Sequence, residues 1–295
     1  MVFFGSFPRL LRSCSINYTP SSAKKNSTKN PHTIFSSTPV PPLLSAAHKP
    51  LLAAVADLVF PRECVVCGGI LAPGEAHICA HCASDIPLTR YEGREVNPMA
   101  DALNARIQER IEMYEPYSRA CALFFYKADS PYSNISKALK YRYNRSSGRF
   151  FASMLGERLA TSPLYADVDA VVPVPLHWTR RWRRGYNQAE VIAEAICTAL
   201  PSAKLFPSML RRRSRTRSQA RLSSAAERAA NLRGAFVARP VPFSGSGSAP
   251  SAPRHILLVD DVCTTGATLC ECHRALRAAF GPSVRISVAT LGFVL

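Results

Sequence analysis

The sequence is poor in acidic residues and lacks a long apolar run, and each shortage narrows the class of protein. Aspartate and glutamate total 20 against 37 lysines and arginines, so the 295-residue chain carries a formal net charge of +17. Solubility does not require so large an excess, which favours partners that carry phosphate: nucleotides, nucleic acids or sugar phosphates. No uninterrupted apolar run reaches about 18 residues, so we expect no membrane insertion. The 47% hydrophobic and 19% charged content is typical of a soluble globular protein.

Acidic residues are absent from Met1 to Ala56, a stretch that is crowded with serine, threonine, asparagine and proline. Such a composition buries too little apolar area to offset the entropy lost on ordering, which predicts a disordered basic tail over residues 1–50. An acid-free start that contains arginine and serine is also typical of an organellar presequence. An untargeted tail and a start codon placed too far upstream remain alternatives, whereas glycine, serine and proline interrupt the only apolar cluster near Met1 and disfavour a secretory signal.

Four cysteines lie in two C-x-x-C pairs, Cys64 with Cys67 and Cys79 with Cys82. Each pair can present two thiolates from a tight turn, for which Gly68 supplies a permissive backbone, and four sulfurs complete a tetrahedral zinc site. Two disulfides are the alternative, but the rest of the chain does not resemble a secreted protein, so we expect zinc and a cytoplasmic location. Protein ligands would fill all four positions, which makes the predicted zinc structural.

Two histidines, His77 and His81, lie between the cysteine pairs. Either could replace one thiolate, although we expect both side chains to lie in solvent. A segment this small has little core of its own, so metal binding would supply most of its folding free energy. We assign residues 51–95 to this zinc-ribbon module.

Beyond Pro98, strands that are apolar throughout alternate with amphipathic helices. The predicted strands are ACALFFY, DAVVPVPLH, HILLVDDV and VRISVATLGFV, and the predicted helices are SNISKALKYRYN, GRFFASMLGERLAT, QAEVIAEAICTAL and GATLCECHRALRAAF. This alternation predicts an α/β fold over residues 96–295, with a parallel sheet covered on both faces by helices. The segment PVPFSGSGSAPSAP predicts a flexible insertion over residues 240–253.

The stretch ILLVDDVCTTGATL ends an apolar strand on Asp260 and Asp261 and follows it with threonines around Gly266. In open α/β sheets ligands bind at the carboxyl ends of strands, and the amino terminus of the next helix attracts anions. A phosphate in the turn, with carboxylates beside it to accept hydroxyl donors, matches a ribose 5-phosphate. Ordinary helix capping by Asp and Thr is the alternative. Neither a Walker A motif nor G-x-G-x-x-G is present here.

The segment LLVDDVCTTGAT resembles the phosphoribosyl-diphosphate-binding signature of the type I phosphoribosyltransferases. The segments VPVPLHWTRRWRRGYNQAEVIAEAI and RRRSRTRSQARLSSAAERAANLRGAF, with a four-cysteine knuckle preceded by DLVFP, resemble the ComF family. Members of that family join a zinc ribbon to a type I phosphoribosyltransferase-like domain, and the family has been linked to competence, the uptake of DNA. The resemblance covers the chain from roughly Ala56 to its end, apart from the insertion.

The resemblance implies that Asp260 and Asp261 are the catalytic pair and hold the ribose hydroxyls, directly or through water on a magnesium ion bound with phosphoribosyl diphosphate. It also implies a mobile flap over the arginine-rich segment from Arg211 to Arg221. The substrate-binding residues that it implies are Cys263, Thr264, Thr265, Gly266, Ala267 and Thr268 around the 5-phosphate, Pro173, Val174 and Pro175 facing the diphosphate, and Arg184, Gly185, Asn187, Gln188 and Gln219.

Three functions follow as hypotheses. The first is transfer of a phosphoribosyl group to an unknown nitrogen acceptor, and the second is a binding module that senses the same ligand without turnover. The third is a nucleic-acid-associated competence factor, in which Trp178 and Trp182 stack on bases among the arginines, although two aromatics four residues apart also pack on each other. The sequence is compatible with a homodimer and leaves the acceptor and the oligomeric state open.

Overall fold

The computed structural model describes residues 61–108, 119–141, 144–213, 234–239 and 252–294. The predicted tail over residues 1–50, Gln219 and most of the predicted insertion lie outside these ranges. The described helices are α1 (Ala80–Ser84), α2 (Pro98–Gln108), α3 (Ser133–Tyr141), α4 (Arg145–Ala160), α5 (Trp178–Arg184), α6 (Gln188–Ala199) and α7 (Ala267–Phe280). The described strands are β1 (Ala120–Phe125), β2 (Ala170–Pro173), β3 (Lys204–Leu205), β4 (Leu210–Arg212), β5 (Phe236–Ala238), β6 (His255–Cys263) and β7 (Arg285–Phe293).

Five strands form one parallel sheet in the order β1-β7-β6-β2-β3, and β4 pairs with β5 in a separate antiparallel pair. The central strands are apolar along both faces because helices cover both sides, and every residue of β7 after Arg285 is buried. The predicted α/β class with a parallel sheet is therefore confirmed. The predicted flap, in contrast, begins within a strand, since Arg211 and Arg212 belong to β4.

Strand β6 is longer than the apolar run that predicts it, because pairing with β7 continues as far as Cys263 opposite Phe293. Pairing with β2 ends earlier, at Pro173 opposite Val259, and is followed only by a hydrogen bond of 2.8 Å from the Val174 amide to the Val259 carbonyl. Pro175 has no amide hydrogen to extend it. Residues beyond Val259 are consequently paired on the β7 side alone.

Helices α4 and α6 pack closely through a glycine. A Cβ atom at Gly156 would lie 2.9 Å from the Cβ of Ala199, so only glycine permits this separation. None of the helices that the structure describes combines the length and apolar character needed to cross a bilayer.

A buried histidine joins β6 to its surroundings. The His255 ring is fully buried, with Nδ1 2.8 Å from Asp167 Oδ1 and Nε2 2.7 Å from Ser287 Oγ. Burial and the charge of Arg119 lower the pKa of His255 to about 4, against the opposing effect of Asp169. The neutral ring is therefore the form that the fold accommodates.

Stability is predicted to fall as pH decreases through the range set by His255. Above about pH 6.5 the ring is neutral in both the folded and the unfolded chain, whereas between about 6.5 and 4 only the unfolded chain takes up the proton. The expected loss approaches about 3 kcal/mol. Urea unfolding at several pH values should show a weaker dependence for His255→Asn than for the wild type. His81→Asn, at an exposed histidine, is the control, and equal pH dependence in all three proteins would contradict this assignment.

Candidate functional site

The four cysteines of the two C-x-x-C pairs converge at one point. Their sulfur atoms all lie within 4.8 Å of one another, and the Sγ atoms of Cys67 and Cys79 are 3.9 Å apart. Zinc–sulfur bonds of about 2.3 Å in a tetrahedron place sulfurs about 3.8 Å apart, so the cluster fits zinc. Cys64, Cys67, Cys79 and Cys82 would hold the ion, which would fasten the ribbon and leave no open coordination position.

Backbone amides orient these thiolates. The amides of Gly69 and Cys79 donate to the sulfurs of Cys67 and Cys64, at 3.4 Å in each case. Gly68 takes the left-handed conformation, φ 76°, that the knuckle requires. Burial opposes ionisation of Cys64, but backbone N–H donors outweigh it and lower the pKa of this thiol to about 7.

The alternatives for this segment were two disulfides, or a histidine in place of one cysteine ligand. None of the described cysteines forms a disulfide. His81 is exposed, with Nε2 3.9 Å from Asp85, as expected. The expectation that His77 lies in solvent is wrong, because its half-buried ring packs against Phe150 with centroids 5.4 Å apart. Neither histidine belongs to the metal-binding cluster.

The ribbon is tied to the start of α3 by two side chains. The Tyr132 hydroxyl donates to the carbonyl of Cys82 at 2.9 Å, and the Asn134 amide donates to the carbonyl of Val66 at 3.0 Å. Both acceptors belong to the C-x-x-C turns. The conformation of these turns and the position of α3 therefore depend on each other.

At the other end of α3 lies the acid pair, Asp260 and Asp261. One oxygen of each carboxylate accepts a hydrogen bond of 2.8 Å from the amide of the next residue, Asp261 and Val262 respectively. The second oxygen of Asp261 lies 2.7 Å from the Lys140 ammonium. The sequence predicted that the acids end the strand, but both lie inside β6. Pairing with β2 has ended at this point, so the carboxylates form hydrogen bonds with amides of neighbouring residues in β6.

The acid pair is electrostatically strained. Burial and the neighbouring charge of Asp261 raise the pKa of Asp260 to about 8. Burial works against the charge of Lys140, yet the two carboxylates prevail and its pKa is raised. Lys140 thus compensates the negative charge of a largely desolvated pair.

The turn Thr264–Gly266 links β6 to α7. Gly266 has φ 70°, and a Cβ atom there would lie 2.6 Å from Leu103 Cδ2 of α2, so both conformation and space demand glycine. Among the residues that the structure describes, no side chain caps α7, which rules out ordinary capping by Asp260, Asp261 or the threonines of the turn. The exposed Thr264 and Thr265 accompany free amide groups at a helix amino terminus, an arrangement suited to an anion.

Most of the implied ligand residues that follow β2 have structural roles, whereas Gln188 keeps an unused hydrogen-bond donor. Gly185 ends α5 with φ 68°, and buried Asn187 caps α6 while its amide donates to the Val174 carbonyl at 3.0 Å. Arg184 donates to Gln188 Oε1 at 3.0 Å. Gln188 is buried, and within the described part of the chain its Nε2 atom has no hydrogen-bond partner. The side chain of Gln188 therefore has an unused donor.

Helix α5 presents aromatic and basic side chains to solvent, and we call its exposed set the α5 surface: Trp178, Arg181, Trp182 and Arg183. The two tryptophans are 64% and 87% exposed, so they do not bury each other. Arg181 pairs with Glu190 at 2.9 Å. Half-buried Arg180 lies near the acid pair, since burial and neighbouring arginines lower its pKa while Asp261 opposes them.

Sequence reasoning missed two residues beside the acid pair. Lys140 forms the ion pair described above, and exposed Tyr141 lies under Arg184, 5.6 Å from ring centroid to guanidinium carbon. Both belong to the predicted helix SNISKALKYRYN, in which a lysine on a helix gives no signal of its tertiary partner. Of the implied ligand residues, Pro173, Val174, Cys263 and Ala267 are buried, whereas Pro175 and Thr268 are half-buried.

Comparison with known proteins gives a consistent set of relatives. Residues 55–92 match the family described as the double zinc ribbon domain. Competence protein F of Haemophilus influenzae is 40% identical over 110 residues, 37% of this chain and 44% of that protein. DNA utilization protein YhgH of Escherichia coli is 28% identical over 221 residues, 72% of this chain and 90% of that protein. The protein of the same name from Salmonella typhi is 37% identical over 103 residues, 35% and 40% of the two chains.

The fold and the cysteine cluster define a class of protein that joins a zinc ribbon to a parallel α/β domain. Within that class, the relatives and the ribbon match support assignment to the ComF family, which the sequence resembles. The match to the Haemophilus protein spans less than half of that protein's length.

Removing the metal is predicted to destabilise the chain beyond the ribbon. A chelator should release about one zinc ion per chain and lower the melting temperature, because the turns that hold the Tyr132 and Asn134 hydrogen bonds lose their fastening. Cys82→Ser should be purified with little zinc by elemental analysis. Cys197→Ser, at a half-buried cysteine outside the cluster, should retain it, and full zinc content in Cys82→Ser would contradict the site.

Proposed function

We propose that this chain is a DNA-handling factor of the competence type, which binds single-stranded DNA on the α5 surface. The observation that carries the proposal is the exposure of Trp178 and Trp182, 64% and 87%, on a helix whose other residues include four arginines. The names of the relatives, a competence protein and DNA utilization proteins, support it.

The physical basis is the pairing of stacking with charge. Every base has a face that stacks on an indole ring, and such stacking contributes about 1–3 kcal/mol per base without regard to sequence. Arginines near the rings neutralise phosphates and release counterions. Large exposed aromatic side chains on a helix with no buried residue also lack a role in the core.

Substituting the tryptophans is predicted to weaken DNA binding without unfolding the chain. Trp182→Ala should reduce affinity for a short single-stranded oligonucleotide on the order of tenfold, because one stacked base is lost. Fluorescence anisotropy at several salt concentrations measures this, and wild-type affinity should fall steeply with salt. Val96→Ala, at another exposed apolar residue (75%), should bind normally.

Affinity that does not depend on salt, or a Trp178→Ala,Trp182→Ala double variant with wild-type affinity, would contradict this use of the α5 surface. Duplex DNA of the same length provides a further comparison, because paired bases cannot stack on the rings.

A second proposed function is the binding of a phosphoribosyl ligand at the end of β6. Three observations support it: the uncapped amino terminus of α7, the acid pair on an edge that β2 leaves, and the unused donor of buried Gln188. In this arrangement the amides after Gly266 hold the 5-phosphate, and the carboxylates accept the ribose hydroxyls. Phosphoribosyl diphosphate is the ligand that the sequence resemblance implies.

Transfer to a nitrogen acceptor is the reaction that we propose for this ligand. The bond between C1 and the diphosphate oxygen breaks, its electron pair leaves with the diphosphate, and the acceptor nitrogen forms the new bond to C1. We assign stabilisation of the departing negative charge to Arg180, whose pKa responds to Asp261, and to Arg184, which donates to Gln188. Direct coordination of magnesium by Asp261 would compete with Lys140, because Oδ1 accepts from the Val262 amide and Oδ2 lies 2.7 Å from the Lys140 ammonium.

Asp261→Asn is predicted to weaken binding of phosphoribosyl diphosphate by roughly tenfold or more, since a charge-assisted hydrogen bond to the ligand is lost. Isothermal titration calorimetry measures the affinity, and diphosphate release in the presence of nitrogenous acceptors measures transfer. Asp129→Asn, at an exposed aspartate, is the control. Equal affinity in Asp261→Asn and the wild type would reject the site, whereas binding without diphosphate release would leave a sensor in place of an enzyme.

A further inference from the structure

The ion pair between α3 and β6 is shielded from water. Lys140 Nζ lies 2.7 Å from Asp261 Oδ2, and the two side chains are only 24% and 15% exposed. Lys140 stands in the last turn of α3, where the helix dipole favours a cation. The interaction therefore differs from an exposed surface pair, which water and salt would weaken.

Each oxygen of Asp261 is in contact with one partner in this arrangement. The amide of Val262 donates to Oδ1 at 2.8 Å, and Lys140 contacts Oδ2. A divalent cation bound directly to Asp261 would have to displace the ammonium or lie beside it. Two cations so close repel each other strongly in a desolvated site.

The backbone that carries Lys140 is held in place by its neighbours. Ala138 and Leu139 are buried, and the carbonyl of Leu139 accepts a hydrogen bond from the Tyr186 hydroxyl. At the other end of the helix, Asn134 is bound to the zinc ribbon. The helix backbone thus keeps the Lys140 ammonium within reach of Asp261.

We infer that Lys140 occupies the place of a divalent cation beside the acid pair, so that a sugar phosphate binds there without a metal coordinated by Asp261. The inference rests on the proposed phosphoribosyl site. An ammonium has three donors, and those not used by Asp261 can reach a ring hydroxyl or a phosphate oxygen of the ligand. Lys140 is consequently a binding residue that selects for metal-independent recognition.

The experiment uses the full chain, loaded with zinc, and manganese ions alone as the probe. Manganese binding is measured by electron paramagnetic resonance for the wild type, Lys140→Met, Lys140→Arg and Asp261→Asn. Lys137→Met is the matched control, because Lys137 is an exposed lysine on the same helix. Melting curves establish that each variant is folded, and Lys140→Gln replaces Lys140→Met if the latter is not.

We expect little manganese binding by the wild type, Lys140→Arg, Lys137→Met and Asp261→Asn, and tighter binding by Lys140→Met on the order of tenfold or more, since the repelling charge is gone. Combining Lys140→Met with Asp261→Asn should abolish that gain. Wild-type binding that Asp261→Asn removes would overturn the inference, and so would a Lys140→Met variant that binds no better than the wild type.

A second arm separates this inference from the proposed ligand site. Calorimetry with ribose 5-phosphate in magnesium-free buffer, compared with the same buffer containing magnesium, should show wild-type binding unchanged and Lys140→Met binding weakened. A wild-type affinity that requires magnesium would overturn the role of Lys140. If neither ribose 5-phosphate nor phosphoribosyl diphosphate binds under any condition, the ligand site and the metal-independent recognition that rests on it are rejected. The manganese result would still decide whether Lys140 takes the place of a cation.

Discussion

The end of pairing between β2 and β6 is the constraint on which the candidate site depends. Beyond Val259, β6 keeps its bonds to β7 but loses β2, because the chain turns away after the Val174 amide. The acids therefore stand on a half-paired edge, satisfied by local amides and by a lysine from α3. In an apolar strand that remained paired on both sides, two buried carboxylates without hydrogen-bond donors would be strongly unfavourable. Two acidic side chains are therefore tolerated in β6 where its pairing with β2 has ended.

Helix α3 connects the metal-binding ribbon with this edge. Its amino-terminal side chains hold the cysteine turns, and its last turn supplies the charge that balances the acid pair. A ribbon with little core of its own thus contributes to the geometry of a site at the opposite end of a nine-residue helix. Zinc binding and the placement of Lys140 are linked through that rigid element.

Helix α5 carries the α5 surface and also Arg180 and Arg184, which relates the two proposed functions. Arg180 is close enough to the acid pair for Asp261 to affect its pKa, and Arg184 lies over Tyr141, next to Lys140. Both ligands present ribose or deoxyribose phosphates, and both would use the same excess of positive charge.

The sequence by itself determined the metal-binding cysteines, the alternation of strands and helices and the order of acid pair and threonine–glycine turn along the chain, because each is a local pattern of spacing and polarity. The resemblance to one family followed from those same patterns. Only the tertiary structure decided that Asn187 donates to the Val174 carbonyl and that Gly185 ends α5. It also decided that His77 packs on Phe150 and that Lys140 faces Asp261. These contacts join residues far apart in the chain, and one helical lysine resembles any other until the fold brings it to a buried charge.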